Sequence, residues 1–156
     1  MSSNVFAYGT LMFPEVASRV AGIDGWGEPV LLTGYSRFKV VKRERTRGLY
    51  PAIVPNEEGS VNGLLFRGIT SLQLKLLDEF EEVREGSYTR ECVSVDADGE
   101  NCDAQIYVAC EPLRSLMDGS LWSPHEFRMQ ELDWYLSNVV DDFVKDMRRK
   151  YPDESV

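Results

Sequence analysis

The segment Phe6-Ala7-Tyr8-Gly9-Thr10-Leu11-Met12 sets an apolar run, a glycine and a hydroxyl residue in the order that turns a strand into a short helix. Such a junction leaves successive amides without ladder partners, and those of Gly9, Thr10 and Leu11 can then face an anionic or carbonyl oxygen. The same residues also make an ordinary structural turn, so the motif alone leaves both readings open. Complementary chemistry stands further along the chain. In Leu76-Leu77-Asp78-Glu79-Phe80-Glu81-Glu82, Asp78, Glu79 and Glu82 read as a solvated helix face. Glu81 differs from them. It follows Leu77 by four residues and Phe80 by one, which sets it at the border of the apolar face near the helix end, where a carboxylate can be directed into a cavity as a proton acceptor. Tyr88, at the start of the next strand, brings a phenol toward it.

Periodicity defines the elements that must position these groups. Residues 5–8 read as a strand, 14–20 as a short helix stopped near Gly22, and 30–41 as one long or bent strand interrupted at Gly34. Residues 48–55 and 61–67 read as two more strands, separated by turn-forming residues 56–60. Thr70 and Gln73 have capping-box spacing, and Leu72, Leu76, Leu77 and Phe80 then mark one face of a helix ending near Glu81. Residues 88–95 and 102–110 flank Asp96-Ala97-Asp98-Gly99-Glu100-Asn101, a hairpin. Tyr107, in its outgoing strand, reads either as a cavity-lining phenol or as sheet core. Leu132, Leu136, Val139, Val140, Phe143 and Met147 keep helical spacing to the end, with Asp133, Asp141 and Asp142 off the stripe. That stripe serves either core packing or self-association. No repeat or linker divides the chain. The pattern predicts one α+β domain over residues 1–156: a small, mixed, mostly antiparallel barrel or half-barrel with few helices and the C-terminal helix packed outside.

Composition removes several function classes. Acidic residues number 26 against 17 basic ones, for a net charge of −9, and no Lys/Arg run is interleaved with aromatics, so nucleic acid is a poor partner. The basic cluster from Lys39 to Arg47 contains a glutamate and reads as a solvated loop. No apolar run spans a bilayer, and the first residues lack a signal-peptide pattern, which predicts no membrane association. Cys92, Cys102 and Cys110 are odd in number and lack CxxC spacing, so they read as buried free thiols of a cytoplasmic protein. With His125 as the single histidine, and that in the helix start Ser123-Pro124-His125-Glu126, a metal cluster or a histidine triad lacks its material. Neither GxSxG, a P-loop nor GxGxxG occurs, and no cofactor is expected.

Phe6-Ala7-Tyr8-Gly9-Thr10-Leu11, Tyr50-Pro51-Ala52-Ile53, Gly63-Leu64-Leu65-Phe66, and Leu77-Asp78-Glu79-Phe80-Glu81 with Tyr88-Thr89-Arg90 occur in the order that resembles the γ-glutamylcyclotransferase-like superfamily. Within it, the likeness is to the branch of plant avirulence-induced-gene proteins and γ-glutamylamine cyclotransferases, over residues 4–107. The resemblance implies a small mixed barrel with a cavity at one end, in which Tyr8, Gly9, Thr10 and Leu11 hold a γ-glutamyl group and Glu81 is the acid/base. It also implies the reaction: the α-amine of a small γ-glutamyl compound attacks its own γ-carbonyl, releasing 5-oxoproline and an amine or amino acid. That chemistry requires no serine, cysteine or metal. The alternative is a non-catalytic module holding a carboxylate-bearing metabolite in the same cavity. The chain departs from many relatives in carrying Glu82 where they have glycine, and in the path through Val83, Arg84 and Glu85, where Arg84 reads as a carboxylate ligand or as a solvated side chain.

Overall fold

A computed structural model of the chain describes residues 3–41 and 50–154. Residues 42–47 of the expected basic loop (39–47) and the first two residues of the strand expected from residue 48 lie outside the described residues. Six strands form one sheet: β1 (Ser3–Ala7), β2 (Glu28–Val40), β3 (Pro51–Ile69), β4 (Tyr88–Ala97), β5 (Glu100–Ala109) and β6 (Met117–Leu121), in the order β3-β1-β5-β4-β2-β6. A further pairing of β2 with β3 returns the sheet on itself. β1 and β5 run parallel and the remaining pairs antiparallel, so the sheet is mixed and mostly antiparallel, as predicted.

Strand alternation divides the apolar side chains between two cores. Phe6, Leu32, Ile53, Leu65 and Ile106 fill the first, and Val5, Ala7, Val16, Leu77, Leu113 and Val140 belong to the second, under the helices. Those helices are α1 (Pro14–Ala21), α2 (Ser71–Phe80), α3 (Glu111–Arg114), α4 (Pro124–Gln130), α5 (Leu132–Tyr135) and α6 (Asp141–Lys150), the last two joined by a π turn at Leu136–Val140. Leu132 and Val140 are buried in that core, and Leu136, Val139, Phe143 and Met147 pack against it, so the terminal apolar stripe is used within the chain.

Local signals place the remaining boundaries. The amide of Gln73 donates to Thr70 Oγ1 at 3.1 Å while Gln73 Oε1 accepts from the Thr70 amide at 3.0 Å, closing the capping box that starts α2. The β4–β5 hairpin turns through Asp98 and Gly99, both at positive φ (54° and 85°), the backbone of a two-residue primed turn. Two expectations need correction. The strands expected at 48–55 and 61–67 are one strand, β3. Its register against β2 passes from Ser60↔Thr33 to Pro55↔Tyr35, so residues 56–59 bulge opposite Gly34 instead of ending the strand. The cysteines are free but not buried: Cys92 is exposed, and Cys102 and Cys110 are half-buried. Cys92 lies on the outward pleat of β4, opposite Gln105.

Because α2 carries Glu81 at its end, its N-terminal cap matters to the site. Thr70→Ala is expected to lower stability by about 1 kcal/mol; a urea titration followed by circular dichroism checks it.

Candidate active site

A cavity of about 1030 Å³ opens where the end of β1, the end of α2, the first residues of β4 and the C-terminal helical segment meet. Tyr8, Gly9, Thr10, Leu11, Glu81, Tyr88 and Tyr107, the residues singled out from sequence, all line it. Arg84 and His125 are exposed and do not.

The turn after β1 is held from several sides. A Cβ on Gly9 would lie 2.9 Å from Cγ and 3.0 Å from Cδ of the Pro51 ring, so only glycine lets the backbone pass β3 this closely. Thr10–Met12 then form one 3-10 turn, with the Met12 amide on the Gly9 carbonyl and the Phe13 amide on that of Thr10. Opening a helical turn leaves its first amides without an internal acceptor. Those of Gly9, Thr10 and Leu11 reach no acceptor among the described residues. Tyr8 donates its hydroxyl to the Tyr107 carbonyl, and Arg37 Nη1 donates to the Tyr8 carbonyl at 2.8 Å. Tyr88 donates to the Pro51 carbonyl at 2.9 Å, which ties the opposite wall to the same strand.

Glu81 stands at the C-cap of α2, its amide on the Leu77 carbonyl. The residue is half-buried and its open side faces the cavity; protein surrounds the carboxyl, and no hydrogen bond or ion pair reaches it among the described residues. Burial first, then the charges of Glu82 and Asp78, push its pKa from 4.5 up to about 8. Burial likewise raises the pKa of Tyr8, Tyr88, Tyr107 and Tyr135, and the Glu81 charge adds to each, so all four hydroxyls around the cavity stay protonated, each on a partner other than Glu81.

The glycine-to-glutamate departure has a backbone meaning. The Val83 amide bonds the Asp78 carbonyl and the Glu82 amide that of Glu79, which is a Schellman end with Glu82 in its left-handed position at φ 52°. Glycine adopts that conformation freely. Here the Ser87 hydroxyl holds Glu82 Oε2 at 3.0 Å, and a second carboxylate lines the cavity beside Glu81.

The solvated face expected for Asp78, Glu79 and Glu82 needs correction, because neighbours cover the last turn of α2 on both sides. Asp78 receives Arg90 through Nε at 2.9 Å and Nη2 at 3.3 Å and also the Tyr107 hydroxyl at 2.8 Å, tying α2 to β4 and β5. Glu79 Oε1 binds Lys150 Nζ at 2.7 Å and the Tyr151 hydroxyl at 2.8 Å. Sequence reading also missed Tyr135, whose hydroxyl lies 3.3 Å from Thr10 Oγ1. Its position three residues after Leu132 and four before Val139 is the helical spacing that could have found it. Arg37 carries no comparable signal, since an arginine in a strand reads as solvent-facing.

Comparison with known proteins identifies the family. The family model described as "Gamma-glutamyl cyclotransferase, AIG2-like" matches residues 5–135, and the chain belongs to that family. AIG2-like protein C of Arabidopsis thaliana is 35% identical over 105 residues, covering 67% of this chain and 58% of that protein, so this match spans less than two thirds of the relative. AIG2-like protein D, also of Arabidopsis thaliana, is 29% identical over 147 residues, 92% of this chain and 90% of the relative. A solved structure titled "Gamma-glutamyl cyclotransferase" superposes with a TM-score of 0.66 over 94% of this chain and 99% of that one, at 16% identity, and so shares the fold.

A carboxyl whose pKa is higher folded than unfolded favours the native state at low pH and loses that contribution as pH rises through the folded value. Glu81→Gln is therefore expected to match the native protein below pH 4.5 and to exceed its stability above pH 8, by roughly 2–4 kcal/mol. Each tenfold change in proton affinity is worth about 1.4 kcal/mol, and water at the open mouth screens part of the total. Urea denaturation across pH 4 to 9 measures the difference.

Proposed function

We propose that this chain is an enzyme, a γ-glutamyl cyclotransferase acting on a small γ-glutamyl amine or peptide. The carrying observation is the presence in one cavity of the enclosed Glu81 carboxyl and of the Gly9, Thr10 and Leu11 turn amides, none of which has a hydrogen-bond partner among the described residues. In the reaction, the substrate's α-nitrogen attacks its own γ-carbonyl carbon. A nitrogen–carbon bond forms and closes a five-membered ring, while the bond from that carbon to the leaving nitrogen breaks. The proton given up by the attacking nitrogen passes to Glu81 and then to the leaving nitrogen, so that 5-oxoproline and a neutralised amine depart. Family membership supports this reading.

The demands on the protein are modest. Nucleophile and electrophile belong to one molecule, and holding the chain folded supplies roughly 7–11 kcal/mol of the barrier. A carboxylate near its ordinary pKa is a weak base toward an ammonium; one at about 8 is far better matched. Charge developing on the γ-oxygen is met by the turn amides, where loss of one donor typically costs about 3 kcal/mol. Tyr8 and Tyr107 brace that turn, and Tyr88 closes the wall beside Glu81.

Incubation with a panel of γ-glutamyl amines and dipeptides is expected to yield 5-oxoproline, and Glu81→Gln to lower kcat at least about 100-fold. Because the base acts as the carboxylate, kcat/KM is expected to rise with pH and level off near 8. Glu82→Gln removes a like charge and moves that limb to lower pH. Ligand binding without product, indifferent to Glu81→Gln, identifies a binding module instead.

A further inference from the structure

Arg37 is a half-buried cation of β2, opposite Ile53 of β3 and outside the residues that line the cavity. Its Nη1 donates to the Tyr8 carbonyl at 2.8 Å and, at 3.4 Å, to that of Asn62. Its guanidinium carbon lies 5.2 Å from the centre of the Trp122 ring. No carboxylate pairs with it among the described residues. Taking a cation out of water without a counter-charge is costly. The short bond to the Tyr8 carbonyl is the strongest contact this charge makes.

That carbonyl belongs to the same peptide unit as the Gly9 amide. A trans peptide sets its C=O and N–H on opposite sides, and resonance couples them. Positive charge held against the oxygen therefore draws electrons from the nitrogen and leaves the N–H proton more positive. The three turn amides differ in what holds the far end of each peptide. Thr10 N–H shares its unit with the Gly9 carbonyl, which accepts from the Met12 amide at 2.9 Å. Leu11 N–H shares its unit with the Thr10 carbonyl, which accepts from the Phe13 amide at 3.2 Å. Both of those donors are neutral. Of the three carbonyls, that of Tyr8 alone receives a full charge. Trp122 steadies the guanidinium there, and the same ring meets Phe13, the residue that closes the turn, edge-on at 6.5 Å. The cation and the turn thus share one support.

We infer that Arg37, from outside the cavity, makes the Gly9 N–H the strongest donor of the turn. Resting on the cyclotransferase reading, Arg37 is a positioning residue for the transition state, acting through the Tyr8–Gly9 peptide on the charge that develops at the γ-oxygen. Outright loss of an oxyanion donor costs about 100- to 1000-fold in kcat, so weakening one without removing it is expected to cost about 10-fold.

Arg37→Met keeps an apolar stem and removes the charge. It is expected to lower kcat for 5-oxoproline release about 10-fold with KM within about twofold, and Arg37→Lys to retain most of the native kcat. In Arg37→Ala, dilute guanidinium chloride is expected to restore kcat, whereas urea, a neutral molecule of the same shape, is not. Amide hydrogen exchange followed by NMR reads the polarisation without substrate. Hydroxide-catalysed exchange is expected to slow several-fold at Gly9 in Arg37→Met while Thr10 and Leu11 nearly keep their rates. Faster exchange at all three amides, or rescue by urea as well as by guanidinium, means that Arg37 only packs, and overturns the inference. An unchanged Gly9 rate, or a native kcat in Arg37→Met, overturns it too. Slowed Gly9 exchange with no 5-oxoproline from any compound, even with the native protein, supports the polarisation and overturns the enzyme reading alone.

Discussion

A carboxyl enclosed by protein, with no hydrogen bond or ion pair among the described residues and two further carboxylates close by, keeps its proton well above the usual carboxylate range, and the arrangement around Glu81 follows from that constraint. The group has two stable outcomes. It keeps its proton, or it exchanges that proton with something brought into the cavity. The surrounding tyrosines, held protonated by the same burial, leave the second role to Glu81.

The rest of the fold fixes this carboxyl and what stands across from it. A capping box starts α2, a Schellman end finishes it, and Asp78 clamps its last turn to β4 and β5 through Arg90 and Tyr107. The facing turn is fixed by the tight passage of Gly9 against Pro51 and by Arg37 on the Tyr8 carbonyl. Rigid support of both partners is what a tethered reaction needs, since its advantage comes from alignment. The C-terminal helical segment adds the last wall, and its π turn falls where Asn138 and Val139 line the cavity, a common place for such a widening.

What could be read from the sequence was mostly local. The Thr70 and Gln73 box, the Asp98-Gly99 turn and the glycine after β1 each act over three or four residues, and each stands where the pattern put it. The resemblance then singled out Glu81 and the turn, and the fold brings both to one cavity. Long-range pairings were not legible. Asp78 looked solvated because nothing nearby in sequence announces Arg90 or Tyr107, and the continuity of β3 depends on the partner strand carrying Gly34 at the bulge. Composition suggested buried cysteines, but the pleat of β4 decided otherwise for Cys92.

The most direct test is the titration of the Glu81 carboxyl itself, followed by carbon-13 NMR of labelled glutamate side chains with Glu81→Gln assigning the signal. A midpoint near 8 is the value this account predicts. A midpoint near 4.5, unchanged by Glu82→Gln, would mean that water reaches the group freely and that the proposed proton transfer has lost its basis.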